Sequence, residues 1–124
     1  MDLHLKTNLL LPTALLTLAS SVILAGEADV IKVEAKCQTT CTFHVTLEHA
    51  DTGWEHYANK WDVLTPDGKV IATRVLHHPH VNEQPFTRSL SNVTIPQGVQ
   101  QVEIRAHDSQ HEYGGKTIIV DLDL

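Results

Sequence analysis

Between positions 41 and 47, Cys41, Phe43, Val45 and Leu47 alternate with Thr42, His44 and Thr46, the period of a strand with one face in a core. At the C-terminus Ile118, Val120, Leu122 and Leu124 repeat the pattern against Thr117, Ile119, Asp121 and Asp123. Runs rich in β-branched residues at 30–35, 60–64, 69–75, 86–95 and 99–106, with 41–47 and 116–124, complete seven predicted strands. Thr65-Pro66-Asp67-Gly68 and Pro96-Gln97-Gly98 supply the dihedrals of tight turns between them. Strands with turn signals at this spacing predict an all-β fold, an immunoglobulin- or fibronectin-type antiparallel β-sandwich of about seven strands. Trp61, on the third of them, takes the place where such sandwiches keep a core tryptophan.

The N-terminus reads differently. Lys6 precedes an apolar run at 9–25, softened by Pro12, Ser20 and Ser21 and followed by the small residues Gly26 and Ala28, the layout of an export signal. The spacing Gly26-Glu27-Ala28 suits cleavage before Asp29, which divides the chain into a signal peptide, 1–28, and a sandwich domain, 29–124. That domain is long enough for one core and too short for two. A lipid-anchored form needs a cysteine directly after Leu24-Ala25-Gly26, where this chain has Glu27, so the mature form is expected to be soluble, periplasmic or secreted, and not embedded in a membrane. An uncleaved anchor is the competing reading, because the apolar run is nearly long enough to span a bilayer. Nine Lys and Arg against fifteen Asp and Glu give a formal charge of −6, the wrong sign for nucleic acid and mildly attractive to cations. In an exported chain Cys37 and Cys41, the only cysteines, are expected to close a tight turn as a local disulfide. A thiolate metal pair or a redox dithiol is the alternative for this CxxxC spacing.

Seven strands turn the nine histidines into a geometry. Successive connections of an antiparallel sandwich alternate between its ends. One end takes the Cys37–Cys41 turn, Pro66-Asp67-Gly68 and Pro96-Gln97-Gly98, with no histidine. The other takes His49 and His56, then His77, His78 and His80, then His107 and His111. Loops collect polar residues in any protein, yet here histidine occupies all three connections at one end and none at the other. Imidazole is the commonest ligand for borderline transition metals, so a metal-linked or proton-linked function is expected at that end.

The candidate ligands are His49, His56, His78, His80 and His111, with Asp108 as a ligand or as the group that orients one. His49 continues the inward parity of Phe43, Val45 and Leu47, and Asp108 that of Val102, Ile104 and Ala106. His78 and His80 flank Pro79, which stiffens the segment so that residues two apart point the same way. His56 and His111 lie where loops can fold over. His77 and His107 have the opposite parity, and His44 belongs to an outward face. The only methionine is Met1, which the signal would remove, so no thioether is offered. Imidazole with an occasional carboxylate from Asp51, Glu83 or Asp108 suits Zn(II), Cu(II) or Ni(II). Iron held by four imidazoles and a thiolate fits badly, since both cysteines belong to the far end.

Other features carry less. Trp54 and Tyr57 either shield a metal, stack on a sugar ring or simply pack their loop. Gly114-Gly115 reads as a bulge or tight turn, and no helix follows it to make a phosphate site. Ser89, Ser91 and Ser109 have no base and orienting partner in an evident arrangement. The segments Asp51-Thr-Gly-Trp54-Glu-His56-Tyr57-Ala-Asn-Lys-Trp61, His78-Pro79-His80 with Glu83-Gln-Pro85-Phe86-Thr-Arg88-Ser-Leu, and His107-Asp-Ser-Gln-His111-Glu-Tyr-Gly114-Gly115 resemble a family of small exported bacterial proteins of unassigned function. The resemblance implies an envelope protein with a sandwich-like fold and brings no activity with it. Three functions follow from the residues. The first is a periplasmic metal-binding module for sequestration, delivery or sensing, whose partners are the ion and another envelope protein. The second is a metallo-enzyme with an open position at the same site. The third is an adhesion or carbohydrate-binding sandwich with incidental histidines.

Overall fold

All seven strands form in the computed structural model, which describes residues 26–124. They are β1 (Asp29–Cys37), β2 (Cys41–Glu48), β3 (Ala58–Leu64), β4 (Val70–Val75), β5 (Phe86–Val93), β6 (Gln101–Asp108) and β7 (Ile118–Asp121). The expected export signal lies outside the described residues except for its last three positions, 26–28. Among the described residues no helix is long and apolar enough to cross a membrane.

Two antiparallel sheets stack, one in the order β1-β2-β5 and the other β4-β3-β6-β7. The fourth strand pairs with the third, and not with the first sheet as in constant-type immunoglobulin domains. Strand parity explains the core. Phe43, Val45 and Leu47 from β2, Trp61 and Val63 from β3, and Val102, Ile104 and Ala106 from β6 are all enclosed. Each large side chain of this set contributes on the order of 1.5–3 kcal/mol by leaving water.

The register carries that parity beyond the strands. Trp61 stands opposite Ala106 and Val63 opposite Ile104, so the next inward position of β6 is Asp108, paired with Ala58 at the start of β3. On β2 the next inward position after Leu47 is His49, just past the strand end. Polar residues therefore occupy the rim of the core at one end of the sandwich. At the other end Cys37 and Cys41 face one another in register and form a disulfide. The β3–β4 hairpin turn and the β5–β6 turn between the sheets, both at that end, place Gly68 and Gly98 at φ values of 88° and 87°, a region where a side chain is strained.

Strand ends differ from the sequence pattern where backbone groups find other partners. The last strand starts at Ile118 and not at 116, because the Lys116 carbonyl accepts from Val30 N at 2.9 Å and the Lys116 amide donates to Asp29 at 2.7 Å. β6 starts at Gln101 and not at 99, since Val99 N closes the turn onto the Pro96 carbonyl. β5 stops at Val93 after Asn92 adopts a φ of 60°, a conformation asparagine tolerates better than most residues.

Candidate metal centre

His49 is completely enclosed, and both of its ring nitrogens meet acceptors. Nδ1 lies 2.5 Å from Asp51 Oδ1 and Nε2 lies 2.9 Å from the Gly26 carbonyl oxygen. A ring facing two acceptors donates from both nitrogens and carries a positive charge. Burial opposes that charge, but the Asp51 hydrogen bond and charge, the Gly26 carbonyl and the Asp108 charge together hold the His49 pKa above its ordinary value. Asp51 answers it from below. Burial pushes its carboxyl up, and the hydrogen bonds from His49, His80 N and Ala58 N outweigh that and pull it down. Those amides sit 2.7 Å and 3.0 Å from its oxygens.

His56, in the β2–β3 connection, packs its ring against the His49 ring with centroids 4.7 Å apart and planes at 70°. Its Nε2 donates to Asp108 Oδ1 at 2.9 Å. The same oxygen accepts the amides of Gln110 and His111 at 2.9 Å and 2.7 Å, as the chain turns sharply after β6. Burial raises the Asp108 carboxyl, and the His111 and Gln110 amides, with His56 and the His49 charge, bring it below the usual value. Its second oxygen, Oδ2, is enclosed without a hydrogen-bond partner among the described residues. An unpaired carboxylate oxygen in a buried site is expensive unless a donor or a cation satisfies it. His49, His56 and Asp108 each offer a ligand atom, all within 4.8 Å of one another, and all three residues are buried. This group could hold a metal ion.

The other candidates lie at the same end but do not meet at that point. His111 is exposed at the rim, its ring 5.0 Å from that of His56. His80 is buried with its ring stacked on Phe86 at 4.0 Å and 4.7 Å from the ring of His78, which is exposed. Neither His80 ring nitrogen has a hydrogen-bond partner among the described residues, and burial, with the charges of Arg88 and His78, lowers its pKa below the ordinary value. His78 Nδ1 donates to the Pro79 carbonyl at 3.1 Å. The pair flanking Pro79 does come together, and the His80 amide ties it to the main group through Asp51. His77 is exposed. His107 turns aside to Asn59 Oδ1 at 2.6 Å and the Tyr113 ring. On the first sheet His44 meets Ser89 Oγ.

Two acidic residues and one glycine matter more than their sequence context suggests. Asp51 enters sequence reasoning only as an occasional carboxylate, yet it joins His49, Ala58 and His80; its position two residues after an inward histidine is the one signal available. Asp62 has the outward parity of β3 and is nevertheless buried, enclosed by Thr73 at 2.7 Å, Tyr113 at 2.8 Å and Arg105 at 3.1 Å. Burial raises its carboxyl and these hydrogen bonds lower it further than burial lifts it. Gly26 comes from the stretch upstream of β1 and leaves no sequence signal. Trp54 stands 67% exposed and meets Tyr57 edge to face.

No family model and no solved structure matches this chain. A protein of Halomicrobium mukohataei named "Putative lipoprotein" is 38% identical to it over 99 residues, 78% of this chain and 48% of that protein. The chain thus spans about half the length of the relative it matches.

Proposed function

We propose that this protein is an exported metal-binding sandwich module, periplasmic or secreted, that holds one Zn(II), Cu(II) or Ni(II) through His49, His56 and Asp108. His111, at the rim beside His56, supplies the fourth position or shields it. The observation that carries the reading is the convergence of three buried residues whose ligand atoms lie within 4.8 Å of one another, one of them a carboxylate whose Oδ2 has no hydrogen-bond partner among the described residues. Two imidazoles and a carboxylate form a donor set that Zn(II) takes readily and that Cu(II) and Ni(II) also accept. Export is supported by the Cys37–Cys41 disulfide, a bond of oxidising compartments, and by the name of the Halomicrobium relative. Sequestration, delivery or sensing suits an ion held at the end of a sandwich next to an exposed histidine. An open fourth position would make the same site a metallo-enzyme.

Calorimetric titration of the tag-free protein at neutral pH tests this reading. One saturable site is expected for at least one of the three ions, lost in His56→Ala and Asp108→Asn and kept in His44→Ala. No saturable binding of any of them overturns it. Exposed Trp54, with Tyr57 against it, favours a second reading, an adhesion or carbohydrate-binding face. Trp54→Ala should abolish retention on immobilised glycans if that reading holds, and leave metal binding intact.

A further inference from the structure

The connection between β4 and β5 carries a buried histidine whose ring makes no hydrogen bond among the described residues. His80 is 6% exposed, and both of its ring nitrogens are enclosed. Its place is nevertheless fixed on three sides. The amide donates to Asp51 Oδ2 at 2.7 Å, the carbonyl accepts from Gln84 Nε2 at 3.0 Å, and the ring lies on Phe86 with planes 13° apart. Buried polar groups are ordinarily paired, and an imidazole held rigidly with an unused lone pair can coordinate an ion at little ordering cost.

A second ligand lies beside it. His78 is exposed, and its ring centroid is 4.7 Å from that of His80 with planes at 41°. A carbonyl oxygen can only accept, so the 3.1 Å contact with the Pro79 carbonyl puts the proton of the neutral His78 ring on Nδ1 and leaves Nε2 to coordinate. Metal-ligating histidines are held in this way, one ring N–H given to a carbonyl or carboxylate and the other nitrogen given to the ion. With metal–nitrogen bonds of about 2.0–2.1 Å, two imidazoles on one ion stand roughly 4.5–5.2 Å apart between centroids. The spacing is already that of a ligand pair, and the exposed ring is free to turn its nitrogen inward. Charge beside the pair is close to balanced, because Glu83 takes the Arg88 guanidinium at 3.0 Å and offsets its repulsion of a cation at His80.

We propose that His78 and His80 form a second, outer metal site, open to solvent, that takes a divalent transition-metal ion still held by another chelating group. Two protein ligands leave the ion's remaining positions to its carrier. A free ion is held more weakly here than by the three residues of the inner centre, so it stays below saturation where that centre is full. Asp51 ties the two together, taking the His80 amide on one oxygen and His49 Nδ1 on the other. The outer site does not depend on the inner one, since none of its ligands is shared.

The test uses the full, tag-free chain and, as probe, Ni(II) on an immobilised tetradentate chelator. That ion keeps two open positions, enough for this pair and too few for the three buried residues of the inner centre. The parent should be retained. Two imidazoles on one fixed segment engage the ion together, so His78→Ala should weaken binding about a hundredfold. His80→Phe keeps the stack on Phe86 and removes both nitrogens, and should do the same while it preserves the disulfide and the β-sheet circular dichroism of the parent. If it does not fold, the exposed His78→Ala decides alone. His77→Ala, His56→Ala and Asp108→Asn should bind the chelated ion as the parent does. A loss smaller than about tenfold in His78→Ala, or an equal loss in His77→Ala, overturns the outer site. An equal loss in His56→Ala would place the chelated ion in the inner centre and overturn it too. The inner centre is read separately by calorimetry with free ions, so either site can fail without the other.

Discussion

Asp51 shows how much one side chain can hold in place. It neutralises His49 and satisfies two backbone amides, so Asp51→Ala leaves a buried imidazolium and two buried N–H groups without partners. The cost expected in chemical denaturation is about 3–5 kcal/mol, the scale of a broken buried pair. The two partners respond to pH in opposite directions. The Asp51 pKa lies below 3.8 in the fold, so its contribution is present above that value and is lost as pH falls through the folded-state pKa. The His49 pKa lies above 6.5 in the fold, so its contribution is complete below 6.5 and is lost as pH rises through the folded-state value. Metal-free protein should therefore melt at progressively lower temperature as pH climbs from 6.5, and His49→Gln should remove that alkaline limb in a calorimetric scan. The positions of His49 and Asp108 were legible in the sequence, because strand parity runs on to them. The hub role of Asp51 was not, because it depends on how the loop after β2 curls back. Nor was the burial of the His80 ring against Phe86, although its approach to His78 follows from the Pro79 spacing.

At the scale of elements, the seven strands were legible because apolar residues alternate along them and turn residues separate them. Their ends were less so, since they depend on which backbone groups pair across the sheets, as Lys116 does with Val30 and Asp29. Trp61 anchors β3 between the sheets and is fully enclosed, so Trp61→Ala should lose about 3–5 kcal/mol in chemical denaturation. The disulfide joins residues only four apart, and so short a loop limits its effect on the unfolded chain to about 2 kcal/mol. Replacing Cys37 and Cys41 together by serine should lower the unfolding midpoint by a corresponding amount and leave metal stoichiometry unchanged. Loss of metal on that change would make the thiols ligands and contradict the division of the sandwich into two poles.

Across the whole molecule the two poles differ in kind. One is tied by a disulfide and tight glycine turns; the other gathers histidines and carboxylates where the core parity emerges from the strands. Their separation was readable from the alternation of connections, whereas the narrowing of six candidate residues to three that meet at one point required the packed structure. Crystals of the tag-free protein soaked in Zn(II), with anomalous diffraction collected across the zinc edge, test that convergence most directly. One peak within coordination distance of His49, His56 and Asp108 is the expected result. A peak on His78 and His80 alone, or at no site near Asp108, would contradict it.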